Sequence, residues 1–228
     1  MIGKICVWLG LVLFVWPAAG WGQILPLEEV LGKIQEQYET HADFKANFVQ
    51  ESLIKSLGKK QQAEGIVYFK KPGKMHWQYI KPTKQQIISD GKNLWNYRPE
   101  DKQVIIARMT QAFQSTTPST FLAGIGNLKK DFQARFVKEP AAGTPYSLEL
   151  TPLEAQGSME KLFLVVDSGT FHILQAKIQD AMGNITQMNF TKIKFNNNLA
   201  DSLFIFTPPQ GVEVFTMPGA LPSGGTEK

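Results

Sequence analysis

The sequence predicts a mainly β protein (α+β) that is built around a single antiparallel sheet. Apolar and polar residues alternate over many short segments, which is typical of strands with one buried face. Turn-forming residues separate these segments, for example at Lys71–Lys74 and at Ser89–Lys92, so that neighbouring strands follow one another in a meander. The 228 residues are 43% hydrophobic and 19% charged, which suits one folded domain.

The N-terminus is typical of a secretory signal. Lys4 precedes an apolar stretch from Ile5 to Val15, and small residues follow it. This stretch is shorter than the roughly 20 apolar residues that a transmembrane helix needs. We therefore expect a signal peptide at 1–22, with cleavage after residue 20 or 22, and an exported protein.

The exported chain is expected to lack cysteine, because the only one, Cys6, lies inside the signal and is not preceded by a lipid-attachment motif. This excludes disulfides, thiolate metal ligands and cysteine nucleophiles. The formal charge of +4 falls to +3 when Lys4, the only charge in the signal, is removed. This net positive charge weakly favours an anionic partner. The basic residues are scattered along the chain, which argues against nucleic acid.

One helix precedes the strands. Pro26 suits the first turn of a helix, and apolar residues at helical spacing then predict an amphipathic helix from Leu27 to Glu39. The sequence predicts about 11 strands in total. Those with the clearest alternation are expected near residues 44–48, 63–69, 75–79, 132–137, 146–150, 162–166, 172–179, 185–195 and 203–206.

The strand pattern is interrupted once. Between Met109 and Lys130 a short helix is expected, beginning near Thr117, as a candidate lid. Its apolar residues are Phe121, Leu122 and Ile125. The Pro- and Gly-rich residues 216–228 predict a flexible tail. We thus expect one domain at 23–215.

Residues that carry chemistry are few. The three histidines, His41, His76 and His172, fall in separate predicted segments without the spacing of a ligand pair. No serine elbow, P-loop or dinucleotide motif is present, and the aspartates lie mainly in turns. These observations predict a protein that is not an enzyme and binds no metal or cofactor.

Aromatic residues are unusually frequent on the predicted strands. Seven of them are expected to share one face of the sheet: Phe44, Phe48, Phe69, Trp77, Tyr79, Trp95 and Tyr97. Two explanations fit this pattern. The residues form either an ordinary core or the lining of a hydrophobic cavity, which small barrels and half-barrels can enclose.

Four motifs give the chain a family resemblance. They are GIVYFKKP at 65–72, MHW at 75–77, ISDGKNLWNY at 88–97 and FIFTPPQGV at 204–212. In this order the motifs resemble the LolA family of bacterial lipoprotein carriers, with similarity from Val30 to Val214. The segment between 65 and 99 is the most specific part of the match.

The resemblance implies a fold and a function. The fold would be an open half-barrel, formed by one bent sheet and closed by a lid of short helices. The protein would be a monomer in the periplasm that takes acylated lipoproteins from an inner-membrane ABC transporter to an outer-membrane acceptor lipoprotein. Residues expected to line its cavity are Phe69, Met75, Trp77, Tyr79, Trp95 and Tyr97, plugged when empty by Phe121, Leu122 and Ile125.

One position departs from the family pattern. An arginine before the motif proline bonds the lid in the family, and Lys71 stands there in this chain. Lysine lacks the planar, bidentate fork of arginine, so we expect a looser latch. Two other functions stay open at this point: a lipid or lipoprotein sensor with the same half-barrel, which would commonly carry a second domain, and an enzyme acting on lipids or glycans, which would need a nucleophile and base.

Overall fold

The computed structural model describes residues 24–109, 127–154 and 159–217. In these ranges the helices are α1 (Leu27–Thr40) and α2 (Leu128–Asp131), with short 3-10 helices at Lys55–Leu57 and Asp201–Phe204. The strands are β1 (Asp43–Ile54), β2 (Lys59–Lys70), β3 (Lys74–Lys81), β4 (Gln85–Asp90), β5 (Asn93–Arg98), β6 (Gln103–Arg108), β7 (Phe132–Phe136), β8 (Tyr146–Pro152), β9 (Met159–Val166), β10 (Ile173–Asp180), β11 (Ile185–Phe195) and β12 (Glu213–Thr216).

All 12 of these strands belong to one open, curved sheet in the order β12-β6-β5-β4-β3-β2-β1-β11-β10-β9-β8-β7. Two meanders, β1–β6 and β7–β11, join where β1 pairs antiparallel with both β2 and β11. Only β12 pairs in parallel, beside β6, within the part of the chain that the structure describes. The prediction of a mainly β protein with a single bent sheet is confirmed, with one strand more than expected.

Helix α1 lies on one face of this sheet, which we call the inner face. The predicted helix from Leu27 is confirmed, and Pro26 stands directly before it with its carbonyl accepting hydrogen bonds from the N–H groups of Glu29 and Val30. The apolar side of α1 joins the main core through Val30, Leu31, Ile34 and Tyr38. The part of the inner face beneath α1 is therefore apolar, and it includes strands of both meanders.

On the opposite, outer face, the C-terminal segment, residues 196–212, covers strands β3 to β6. This segment is tied to β1 by the buried Asp43 carboxylate, which accepts hydrogen bonds from the N–H groups of Asn197 (2.6 Å) and Leu199 (3.0 Å). Burial acts to raise the pKa of Asp43, but these hydrogen bonds more than offset it and hold the pKa below its usual range. The Nδ1 atom of His76, on β3, lies 2.9 Å from the carbonyl oxygen of Leu203.

The strand predicted near residues 203–206 was wrong. Asp201–Phe204 forms a 3-10 helix, and the last strand is β12, which ends at Thr216, one residue beyond the expected domain boundary. The alternating pattern has another cause: Phe204 is fully buried, Ile205 is 67% exposed, and Phe206 packs on the outer face. A segment that crosses a sheet in extended form alternates in the same way as a paired strand.

Candidate functional site

The centre of the inner face is a cluster of aromatic rings. Strands β1, β2 and β3 pair so that alternate residues lie side by side, with Phe44 opposite Phe69 and Val67 opposite Trp77. The rings then make edge and tilted contacts, with centroids 5.0 Å apart for Phe48 and Trp77, and 5.8 Å apart for Phe69 and Trp77. Trp77 is only 1% exposed. These rings form a continuous part of the main core.

Four of the six residues expected to line a cavity lie on this face. Phe69, Met75 and Trp77 are buried in the main core, and Tyr79 is half-buried against it. The register therefore brings these four side chains together, as the alternation of β2 and β3 predicted.

Trp95 and Tyr97 do not lie with them, and the expectation of one shared face was wrong for these two. In the β4–β5 hairpin Ser89 pairs with Leu94, and Ile88 pairs with Trp95. Because paired residues share a face, Leu94 faces inward and Trp95 outward. A shift of one residue in a turn moves every side chain of the next strand to the other face.

The outer face has its own small core. Trp95 packs there with Ile88, Val104 and Ile106, and Tyr97 lies 5.1 Å from Phe206 between ring centroids. These residues hold the C-terminal segment against the sheet. In the sequence, this packing was indicated by the apolar residues between Phe204 and Val212, which need a surface to pack against.

The residues expected to plug the cavity, Phe121, Leu122 and Ile125, lie outside the described residues. The expected latch, Lys71, lies at the β2–β3 turn, where its ammonium group donates a hydrogen bond to the Glu39 carbonyl in the last turn of α1. Desolvation lowers the pKa of Lys71, partly offset by the Glu39 carboxylate. A cation is favourable at this end of a helix, so Lys71 ties α1 to the sheet.

Hydrogen bonds also connect α1 to other parts of the sheet and to α2. The Tyr38 hydroxyl accepts a hydrogen bond from the Ile173 N–H group at 3.2 Å, and the Gln35 side chain accepts one from the Leu128 N–H group at 3.0 Å. Burial raises the pKa of Tyr38 far above its usual range, so its hydroxyl stays neutral. The helix thus covers the inner face mainly through apolar packing.

Beyond Trp77 the inner face becomes polar but not charged. The Tyr79 hydroxyl donates to the Gln50 side-chain oxygen at 2.9 Å, and the Gln50 amide donates to the Ser52 hydroxyl at 3.1 Å. On the neighbouring strands Gln85 donates to Asn96 at 2.7 Å. Burial raises the pKa of Tyr79 to about 12. We call Gln50, Ser52, Tyr79, Gln85 and Asn96 the polar end of the inner face.

The three histidines lie at two places in the structure. His76 lies on the outer face, whereas His41 and His172 flank the Phe195 ring at 4.6 and 4.8 Å between centroids. Among residues 24–109, 127–154 and 159–217, no three His, Cys, Asp or Glu side chains are grouped so that they could hold a metal ion. In the same ranges, no helix has both the length and the apolar character needed to cross a membrane.

Comparison with known proteins agrees with this geometry. Residues 39–207 match the family model described as outer membrane lipoprotein carrier protein LolA. An outer-membrane lipoprotein carrier protein of Nitrosomonas europaea is 35% identical over 171 residues, which cover 75% of this chain and 81% of that protein. One of Dechloromonas aromatica is 31% identical over 194 residues, with 84% and 91% covered. The fold resembles that of an uncharacterized conserved protein from Thermus thermophilus, with a TM-score of 0.53 at 15% identity over 83% of this chain and 98% of that chain.

Proposed function

Because this chain belongs to the LolA family of outer-membrane lipoprotein carriers, we propose that it shields the acyl chains of lipoproteins on the inner face of its half-barrel. In this proposal the protein is exported to the periplasm. It receives lipoproteins from an inner-membrane ABC transporter and passes them to an acceptor lipoprotein at the outer membrane. It acts as a monomeric carrier, without catalysis and without a cofactor.

The observation that carries the proposal is the position of α1 on the inner face. An amphipathic helix occupies an apolar surface that spans strands of both meanders. Acyl chains are chemically equivalent to the Val, Leu and Ile side chains that α1 places there. A lipid can therefore take the place of the helix, provided that α1 moves aside.

The energetics favour this exchange over a permanently open cavity. Burying one methylene group contributes about 0.8 kcal/mol, so a fully buried 16-carbon chain would gain about 12 kcal/mol. A carrier that kept all this energy for several chains could not release them. Displacing α1 from the inner face consumes part of the gain, and its return helps to expel the cargo.

The proposal is tested by a release assay. Membrane vesicles that contain the transporter and an acylated lipoprotein are incubated with ATP and the purified protein, and the lipoprotein in the soluble fraction is measured. Tyr79→Glu places a charge on the half-buried inner face beside the aromatic cluster, and we expect at least a tenfold loss of release, because this charge would lose its hydration when the lipid binds. Gln78→Glu, on the adjacent outward-facing residue, is the control. Equal release by both variants would overturn the proposal.

A further inference from the structure

Trp77 has a donor group that the fold leaves unused. Its indole N–H group is buried and has no hydrogen-bond partner among the residues that the structure describes, and the side chain is only 1% exposed. The ring is surrounded by Phe48, Phe69 and Phe190, with centroid distances of 5.0, 5.8 and 6.4 Å. Buried polar groups are normally satisfied, and on the inner face, where we propose that a lipid binds, an unpaired donor is placed to meet an acceptor of the bound ligand.

We propose that the Trp77 N–H group donates a hydrogen bond to an ester carbonyl of a bound, acylated lipoprotein. The inference rests on the proposed function and adds to it the group by which the lipid is recognised. An indole N–H group is a donor only, so its partner must be an acceptor. In an acylated cysteine the ester carbonyls are acceptors that are bonded directly to the hydrocarbon chains.

The surroundings of Trp77 fit such a ligand in a defined direction. On one side of Trp77 along the strands, the inner face is apolar, with Phe69 and Phe44 beneath α1. On the other side lies the polar end, where Tyr79 and Gln50 are hydrogen-bonded and uncharged. An acylated lipoprotein has the same order of groups: hydrocarbon, ester carbonyls, then glyceryl and peptide. We infer that the acyl chains extend towards Phe44 and that the peptide leaves past Gln50.

The chain contains a matched control for this donor. Trp95 is 6% exposed, and within the described ranges its buried indole N–H group has no hydrogen-bond partner either. Trp95 lies on the outer face beneath the C-terminal segment, where Ile88, Val104 and Ile106 surround it. Trp95 is buried like Trp77 but lies on the other face of the sheet. An effect that is seen only at Trp77 therefore comes from its place on the inner face and not from the loss of a buried indole N–H group in general.

The test compares two synthetic lipopeptides on the same cysteine-containing peptide, one with two ester-linked palmitoyl chains and one with two ether-linked hexadecyl chains. The ether-linked lipopeptide has no carbonyl oxygen at the position where the Trp77 N–H group would bind, while its hydrocarbon is nearly unchanged. We expect the unmodified protein to bind the ester about tenfold more tightly, and we expect Trp77→Phe to reduce this preference to about twofold or less. Trp95→Phe should keep the full preference. Because the ratio is taken within each variant, a general loss of stability or volume does not imitate the result.

The outcomes separate the inference from the proposed function. If the protein binds both lipopeptides but prefers neither, or if Trp77→Phe keeps the preference, the Trp77 contact is overturned and the carrier function stands. If the unmodified protein binds neither lipopeptide, the carrier function is overturned and the contact with it.

The direction of the lipid is tested by fluorescence quenching. In a protein that begins at residue 23 the tryptophans are Trp77 and Trp95, so Trp95→Phe leaves Trp77 as the single reporter. Lipopeptides brominated near the ester carbonyl should quench Trp77 more strongly than lipopeptides brominated at the chain end. Stronger quenching from the chain end would reverse the proposed direction and overturn the ester contact.

Discussion

The ring of Phe48 occupies the space that a side chain at Gly65 would need. The two residues are paired across β1 and β2, and a Cβ atom built on Gly65 would lie 2.9 Å from the Phe48 ring and 2.0 Å from the Gln78 carbonyl oxygen. Both distances are shorter than van der Waals contact allows. The absence of a side chain at Gly65 lets β3 and the aromatic cluster approach closely.

Gly65→Ala should therefore destabilise the fold by about 2–3 kcal/mol, because the strand or the ring must move. Urea unfolding measures the change. Gly169→Ala is the control, since the nearest atom to a Cβ atom there is the Asp167 carboxylate at an ordinary 3.6 Å. The control should change stability by less than about 0.5 kcal/mol. A Gly65 variant as stable as its control would contradict the close packing.

Asp43→Asn should loosen the C-terminal segment. The carboxylate accepts hydrogen bonds from two backbone N–H groups, at Asn197 and Leu199, and an amide presents its own N–H donors in part of that space. We expect a loss of about 1–3 kcal/mol by urea unfolding. Asp201→Asn weakens ion pairs that an exposed carboxylate makes with Lys70 and Lys74, and it should cost clearly less. Equal losses in the two variants would argue against Asp43 as the anchor.

Stability should decrease below neutral pH because of two histidines. Burial lowers the pKa of His76 and of His172 in the folded protein. Unfolded histidines titrate near pH 6.5, so the unfolded state binds more protons as the pH falls below about 7. The free energy of unfolding should thus be greatest above that pH and decrease towards about pH 5, by at most about 1.4 kcal/mol per histidine and pH unit.

Replacing these histidines should flatten the pH dependence. His76→Gln and His172→Gln are each expected to remove part of the slope between about pH 7 and pH 5. Urea midpoints at several pH values for the single and double variants provide the measurement. A double variant with an unchanged slope would assign the dependence to other groups.

Lys71 is predicted to control how firmly α1 is held. Lys71→Met keeps most of the side-chain stem but loses the hydrogen bond to the Glu39 carbonyl, which typically contributes about 1 kcal/mol. Amide hydrogen exchange in residues 37–40 should then increase about fivefold, and lipopeptide loading should become faster. Lys74→Met, which removes a contact to Asp201 instead, is the control. Unchanged exchange in the Lys71 variant would show that apolar packing alone holds the helix.

The sequence predicted the parts of the fold that local patterns determine. Helix α1 begins at Leu27 as its apolar spacing indicated, and β11 spans Ile185–Phe195 as predicted. In β3, alternation placed Met75, Trp77 and Tyr79 together on one face. Each of these elements has a clear periodicity of apolar residues and ends at a turn.

What the sequence did not reveal depends on register and on long-range pairing. The face of Trp95 is set by the pairing of Ser89 with Leu94, and the alternation within β5 is the same for either face. The strand β12 has no alternation at all, since all four of its residues are exposed, and it forms because β6 offers a free edge. The polar end of the inner face was missed because Gln50 and Asn96 look like ordinary surface residues in isolated strands.

The mass of the intact protein, isolated from the periplasm under gentle conditions, tests the carrier function most directly. We predict a species whose mass equals this chain plus one acylated lipoprotein, present for the unmodified protein and for Gln78→Glu but absent for Tyr79→Glu. If only the mass of the free chain is found, although lipoproteins and their inner-membrane transporter are supplied together, the protein does not carry lipoproteins.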